Sequence, residues 1–260
     1  MSSTSLIQRK LSQDSFLLNI GMGLIPGYEN ILRYGRNPDV DSGTAPEDVW
    51  DGGGLYTGQP LHAAAAEVVQ VFSSSALDTA AGTGARSIRI TGLNELWQYT
   101  TEVIVLNGVT PVPTVSLWRR VWLGEVLTAG TGGGNAGTIT CRNSPTVATV
   151  FFIMPIGRNR TASGVYTVPE GKILFAHNVN VKIARANAGT GTAEYSVRVR
   201  AENSVYQAVR YNSVTTSYVD TYDLALTPLP ARVDIKAVCE SSSDNDTSIS
   251  ASFLGILVDT

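Results

Sequence analysis

From about residue 65 onward, apolar and polar residues alternate along most of the chain. Val69 and Val71 share one face of the run Glu67-Val-Val-Gln-Val-Phe-Ser73. Ile88 and Ile90 oppose Arg89 and Thr91, and the pairs Val103/Val105 and Ile139/Cys141 repeat the pattern. Later, Val179, Val181 and Ile183 oppose Asn180 and Lys182, and Val197 and Val199 oppose Arg198 and Arg200. Val233 and Ile235 oppose Asp234 and Lys236, and Ile249, Ala251 and Phe253 close the series. Successive side chains of an extended chain point to opposite faces, so this alternation predicts half-buried antiparallel strands. Short strands with turn signals between them predict an all-β fold of sandwiches or jelly rolls.

Residues 1–60 lack the alternation. Tyr34-Gly-Arg-Asn-Pro-Asp-Val-Asp-Ser-Gly43 reads as successive turns, because Gly, Asn, Asp and Pro each favour turn geometry. Leu6, Leu11 and Phe16 to Leu18 space out as one short helix, and Asp51-Gly-Gly-Gly54 ends the segment. Residues 1–60 are therefore expected to form an irregular N-terminal arm. Beyond it, Ala-Gly-Thr-Gly at 81–84 recurs at 188–191, a shift of 107 residues (188 − 81), each time ahead of an Arg-bearing alternating strand. Val121 to Arg142 and Val233 to Gly255 form a second pair, each a strand, a loop of small residues and a strand. The expectation is two tandem antiparallel β-sandwiches, jelly-roll-like, over 61–160 and 161–260. Their seam falls in the polar stretch Pro155–Gly164.

The composition agrees with this and narrows the function. Charged residues are 16 % of the 260, and 25 are Gly, which suits strands joined by tight, weakly charged turns. The net charge of −3 and the lack of a basic stripe argue against a nucleic-acid partner. No apolar run approaches the roughly 20 residues of a membrane span. The start, MSSTSLIQRKLSQDSF, lacks the layout of a signal peptide, which predicts synthesis in a cytoplasm. Cys141 and Cys239 sit in strand-like runs and are expected to be buried, reduced thiols.

No motif for catalysis stands out. The two histidines, His62 and His177, are too few for a triad or a His-rich metal site, and His177 follows an apolar strand as a structural residue would. The loop Ala129–Gly137 lacks the Gly-Lys-Ser/Thr ending of a phosphate cradle and leads into a strand, so it reads as a hairpin loop. Asp39, Asp41, Asp48 and Asp51 offer the one plausible cation site, although the EF-hand spacing is absent and the acids equally suit turn caps. Glu194, Glu202 and Asp234 show no pairing for acid–base work, so no enzyme and no cofactor is expected. Trp118, Arg120 and Trp122 share one face if the strand is regular. That face suits a protein core or a subunit interface, with glycan stacking as the alternative.

Several runs together carry a resemblance. Gly35-Arg-Asn-Pro-Asp-Val-Asp41, Pro46-Glu-Asp-Val-Trp-Asp-Gly-Gly-Gly54, Phe72-Ser-Ser-Ser75 and Gly82 to Ile90 are similar to stretches in structural proteins of tailed phages, many of them marine and freshwater podoviruses. Leu106 to Val112, the Ala129–Gly137 loop, Tyr166 to Lys172 and Gly255 to Asp259 continue the match, so that it spans about residues 20–259. The resemblance implies a virion component. Some head decorations of such phages are jelly-roll trimers, which implies a homotrimer on the outer capsid surface with the major capsid protein as partner. A tail or fibre-associated protein touching host glycan or receptor is the alternative. The expected capsid anchors lie in the arm: Tyr28, Tyr34, Arg36, Trp50 and Tyr56.

Overall fold

A computed structural model describes residues 16–144, 146–185, 191–215, 219–223 and 228–260, with backbone alone at 177, 185 and 219–223. The expected helix positions Leu6 and Leu11, the His177 side chain and most of the second Ala-Gly-Thr-Gly copy lie outside the described residues. A short helix, α1, covers residues 16–21. The strands follow in chain order. They are β1 (Tyr28–Val40), β2 (Glu47–Asp48), β3 (Glu67–Ser73), β4 (Ala85–Asn94), β5 (Tyr99–Val105), β6 (Val112–Ala129), β7 (Ile139–Asn143) and β8 (Val150–Met154). Then come β9 (Val165–Thr167), β10 (Lys172–Arg185), β11 (Thr192–Arg200), β12 (Gln207–Thr215), β13 (Val219–Asp223), β14 (Pro228–Leu229), β15 (Asp234–Ser242) and β16 (Thr247–Asp259).

The fold is all-β, antiparallel and built as sandwiches. Strands β3 to β8 make one six-stranded sheet in the order β5-β4-β6-β3-β7-β8. The long strand β6 turns the corner of this sheet. Its first part pairs with β3, up to Trp118, and its remainder pairs with β4. The sheet thus curls over its own core of Val69, Val71, Ile88, Ile90, Ile139 and Phe152. The second unit has two sheets, β1-β16-β10-β13 and β12-β11-β15-β2, with β14 and β9 at their margins. They enclose a core that includes Leu174, Val181, Tyr195, Ile235, Ile249 and Phe253. The alternation of β16 explains its place: inward residues from Thr247 to Leu257 are buried and every second residue between them is half-buried.

The two units share a strand order. β5-β4-β6 matches β12-β11-β15, and β3-β7-β8 matches β10-β16-β1. The first residues of β4 and β11, Ala85 and Thr192, are 107 positions apart (192 − 85). In the first unit β8 follows β7 in the chain and pairs with it, whereas in the second unit the strand beside β16 is β1, from the other end of the chain. The first unit is closed by the β3–β6 pairing. In the second unit β15 pairs instead with β9 and β2.

This corrects the expected irregular arm at residues 28–48. Tyr28 to Asn37 pair in register with Val258 to Ile249, and Val40 pairs with Thr247 after a bulge. The segment is the edge strand of one sheet and, through β2, a short margin of the other. Its alternation is hidden because it is inverted at the turn-like residues. Gly35 and Asn37 point inward and are buried, while Leu32 and Tyr34 point outward. Gly35 is required by close approach, since a Cβ there would lie 2.1 Å from the Gly164 nitrogen and 2.3 Å from the Val49 oxygen. Residues 155–164, the expected seam, carry only isolated bridges at Arg160 and Ser163.

Candidate functional site

The densest polar constellation lies where the two units meet. Asp234 begins β15 and has 0 % exposure. Arg120, from β6 of the other unit, reaches it with Nε 3.0 Å from Oδ1 and Nη2 3.1 Å from Oδ2. Arg200 on β11 donates from Nη2 to Oδ2 at 2.5 Å and from Nε at 3.1 Å. The Thr167 hydroxyl donates to Oδ1 at 2.5 Å. Both guanidinium groups donate onward to the Pro60 carbonyl, and Arg200 also donates to that of Gln59. Gln59 in turn donates to the Tyr166 carbonyl at 2.9 Å and accepts from the Tyr206 hydroxyl at 2.7 Å. The segment between β2 and β3 is thereby pinned to both units.

Trp97 seals the same place. It lies in the β4–β5 turn with a left-handed φ of 62°, stacks on His62 at 5.3 Å, and carries the Arg120 guanidinium 4.9 Å from its ring centroid. His62 donates from Nε2 to the Arg232 carbonyl at 2.6 Å. Burial alone would raise the Asp234 carboxyl, but the Arg120 charge and hydrogen bond, with Thr167 and Arg200, outweigh it and hold it below the usual carboxylate range. Every oxygen of this carboxylate is committed to an internal donor. The constellation is a latch between the units.

The structure redistributes the residues singled out from the sequence. Trp118, Arg120 and Trp122 are all buried within a single chain, which removes them from a subunit interface. They do not share a face. The β4–β6 register slips between Leu93 and Asn94, opposite Arg120 and Trp118. Trp118 consequently enters the first-unit core, while Trp122 joins the second-unit core against Tyr166. Trp50 and Tyr56 are likewise buried, packed edge-on at 5.2 Å, and the Tyr56 hydroxyl donates to the Phe151 carbonyl at 2.8 Å. These two are core residues and not capsid anchors. Of the three anchors on β1, Tyr34 is 42 % exposed, while Tyr28 and Arg36 are half-buried.

The acidic candidates separate in the same way. Asp48 is buried and ion-paired to Lys236 at 2.8 Å, and Asp51 accepts from the Ala162 amide at 2.7 Å. Neither belongs with Asp39 and Asp41, whose carboxylates gather instead with Asp246 within 4.8 Å. Asp246 was invisible to local spacing because it lies in the β15–β16 turn. The Gly-rich loop is a hairpin loop. Its Ala136 and Gly137 amides donate to the buried Asp78 carboxylate at 2.8 and 2.9 Å, so those donors are not free for a phosphate. Cys141 and Cys239 are buried free thiols.

Several exposed apolar side chains follow the N-terminal elements. Phe16, Leu17, Leu18 and Met22 around α1 are exposed, as are Leu24 and, on the outer face of β1, Leu32. Helix and strand are joined, with the Asn30 amide donating to the Leu17 carbonyl at 3.3 Å and Phe16 lying edge-on to Tyr28 at 5.9 Å. Two edge strands add further apolar residues: Tyr99, Val103 and Val105 on β5, and Val209 and Tyr211 on its counterpart β12. Among the described residues no helix is long and apolar enough to cross a membrane.

No protein-family model and no curated protein matches the chain. Solved structures give weak likenesses. A chain of the infectious bursal virus-derived T=1 particle is 12 % identical, with 94 % of this chain and 75 % of that one covered and a TM-score of 0.24. The T13 particle of the same virus gives 12 % identity, 89 % and 68 % coverage and a TM-score of 0.25. The PBSX exported protein XepA gives 7 % identity, 87 % and 86 % coverage and a TM-score of 0.21. Scores of this size carry no argument about role.

Proposed function

We propose that this chain is a non-enzymatic structural protein of a tailed-phage virion that decorates and stabilises the outer surface of the head. It sits on the major capsid protein as a homotrimer. The observation that carries the reading is the pairing of an internally latched body with several exposed apolar side chains on α1 and on the outer face of β1. Exposed apolar side chains grouped on neighbouring elements are a recurrent mark of protein contact. The sequence resemblance to tailed-phage structural proteins supports the same reading.

In this account Leu32, Tyr34 and Arg36, with the exposed leucines of α1, face the capsid. Val103 and Val105 of β5, and Val209 and Tyr211 of β12, meet neighbouring copies, leaving the Tyr99 end of β5 open. Exposed strand edges pair readily with other chains, and aromatic and aliphatic side chains supply the contact area. Copy number in purified virions, measured by quantitative mass spectrometry against the major capsid protein, tests the placement. A number scaling with the capsid lattice is expected, whereas a handful of copies would move the chain to the tail.

A further inference from the structure

A second polar feature plays no part in the latch. Arg33 projects from the inner face of β1 and makes no hydrogen bond or ion pair with any described residue. Its guanidinium lies 5.0 Å from the Tyr166 ring centroid and 5.4 Å from that of Trp122, and its Nε is buried without a partner. Arg33 and Tyr166 both line a cavity of about 480 Å³ between β1, the start of β10 and the β5 edge. That volume is in the range of small-molecule sites. Glu29, Asn30 and Lys172 stand along the cavity, together with the exposed ring of Tyr99.

The charges define what fits. Lys172 is neutralised by Glu29 at 2.7 Å and Asp259 at 2.6 Å, so the outer part carries an excess of negative charge. The cation whose buried Nε lacks a hydrogen-bond partner is Arg33, held against two aromatic rings, with Glu125 and Arg160 acting on it from farther off. Burial disfavours its charge, and a carboxylate beside it would relieve that cost. A ligand with several negative charges would be repelled by Glu29 and Asp259, which argues against a phosphate or sulfate ester. One carboxylate, hydroxyls for Asn30 and Glu29, and an apolar ring face for Tyr99 describe an acidic sugar.

We infer that the Arg33 cavity binds a monocarboxylate sugar of the uronic acid class, with the carboxylate on Arg33 and the pyranose face on Tyr99. Leu32 also borders the cavity, so a docked chain would cover part of it, and the test is made on the free chain. The test is titration calorimetry of the full chain with glucuronate, with glucose as neutral control and the tripeptide Gly-Asp-Gly as a protein-type carboxylate. Glucuronate is expected to bind about tenfold or more tightly than glucose, the effect of one charge-assisted hydrogen-bonded pair. Arg33→Met should abolish that preference. Tyr99→Ala, at an exposed position that leaves the core intact, should weaken glucuronate and glucose alike. If Arg33→Met does not fold, the wild-type preference and the Tyr99→Ala result decide. Equal binding of glucuronate and glucose, or glucuronate binding unaffected by Tyr99→Ala, overturns the inference. Binding of the tripeptide without glucuronate also overturns it, in favour of a protein carboxylate.

Discussion

At the scale of single residues, Asp234 holds the two units together. It compensates two guanidinium groups while fully buried, and removing one partner from such a network leaves uncompensated charge in the interior. Asp234→Ala is expected to lower unfolding free energy by about 3–5 kcal/mol, measured by urea denaturation. The folded-state carboxyl lies below its unfolded value of about 3.9, so its contribution is complete above that pH and is lost as pH falls through the folded value. Stability should therefore drop below about pH 4, and the drop should be shallower in Asp234→Asn, by thermal melts across pH 2.5–7. Burial, with Glu47 and Glu240 nearby, pushes the Cys239 thiol up to about 12, so native protein should resist iodoacetamide at pH 8 and react once unfolded. Alternation marked Asp234 only as a polar residue opposite Val233 and Ile235. Its partner Arg120 is 114 positions away in another unit, a separation that no local spacing encodes.

At the scale of elements, most strands from β3 onward were legible because their apolar residues face inward at a period of two, as Ile88 and Ile90 do in β4; β5 is the exception, since Val103 and Val105 point outward and Ile104 between them is buried. β1 was not legible, for a physical reason. Its inward positions include a glycine needed for close packing and an asparagine that donates to Glu47 at 2.8 Å, while its outward positions carry leucine and tyrosine. A pattern reading therefore sees turn-formers where a strand lies. Local slippage misled in β6 as well, where the shift opposite Leu93 and Asn94 sends Trp118 and Trp122 into separate cores. Gly35→Ala should cost about 3 kcal/mol, because the added methyl meets backbone that has no room to move. Deleting residues 1–48 should do more, by stripping β1 from β16 and β2 from β15. Circular dichroism and size-exclusion chromatography should show a protein that loses cooperative melting and associates through the bared β16 edge.

At the scale of the whole molecule, one strand order is used twice, and the second use is completed by the N-terminal strand. The proposed docking face therefore includes the edge strand of a sheet, held by pairing along β16, which limits the ordering cost on binding. The edges β5 and β12 present matching apolar residues on both units, and light scattering should give a mass near three times 27.6 kDa. A double change, Val103→Glu with Val209→Glu, should return the monomer without altering the melting profile, since both side chains are exposed. The central claim is that the α1–β1 face holds the head. It is tested most directly by co-sedimentation of undecorated heads with the full chain and with Leu32→Asp/Tyr34→Ala, two exposed positions outside both cores. The account predicts that the full chain saturates the heads and that the folded, trimeric double variant stays in the supernatant. Saturation by the variant at unchanged affinity, or full-length chain pelleting only with tails, would contradict it.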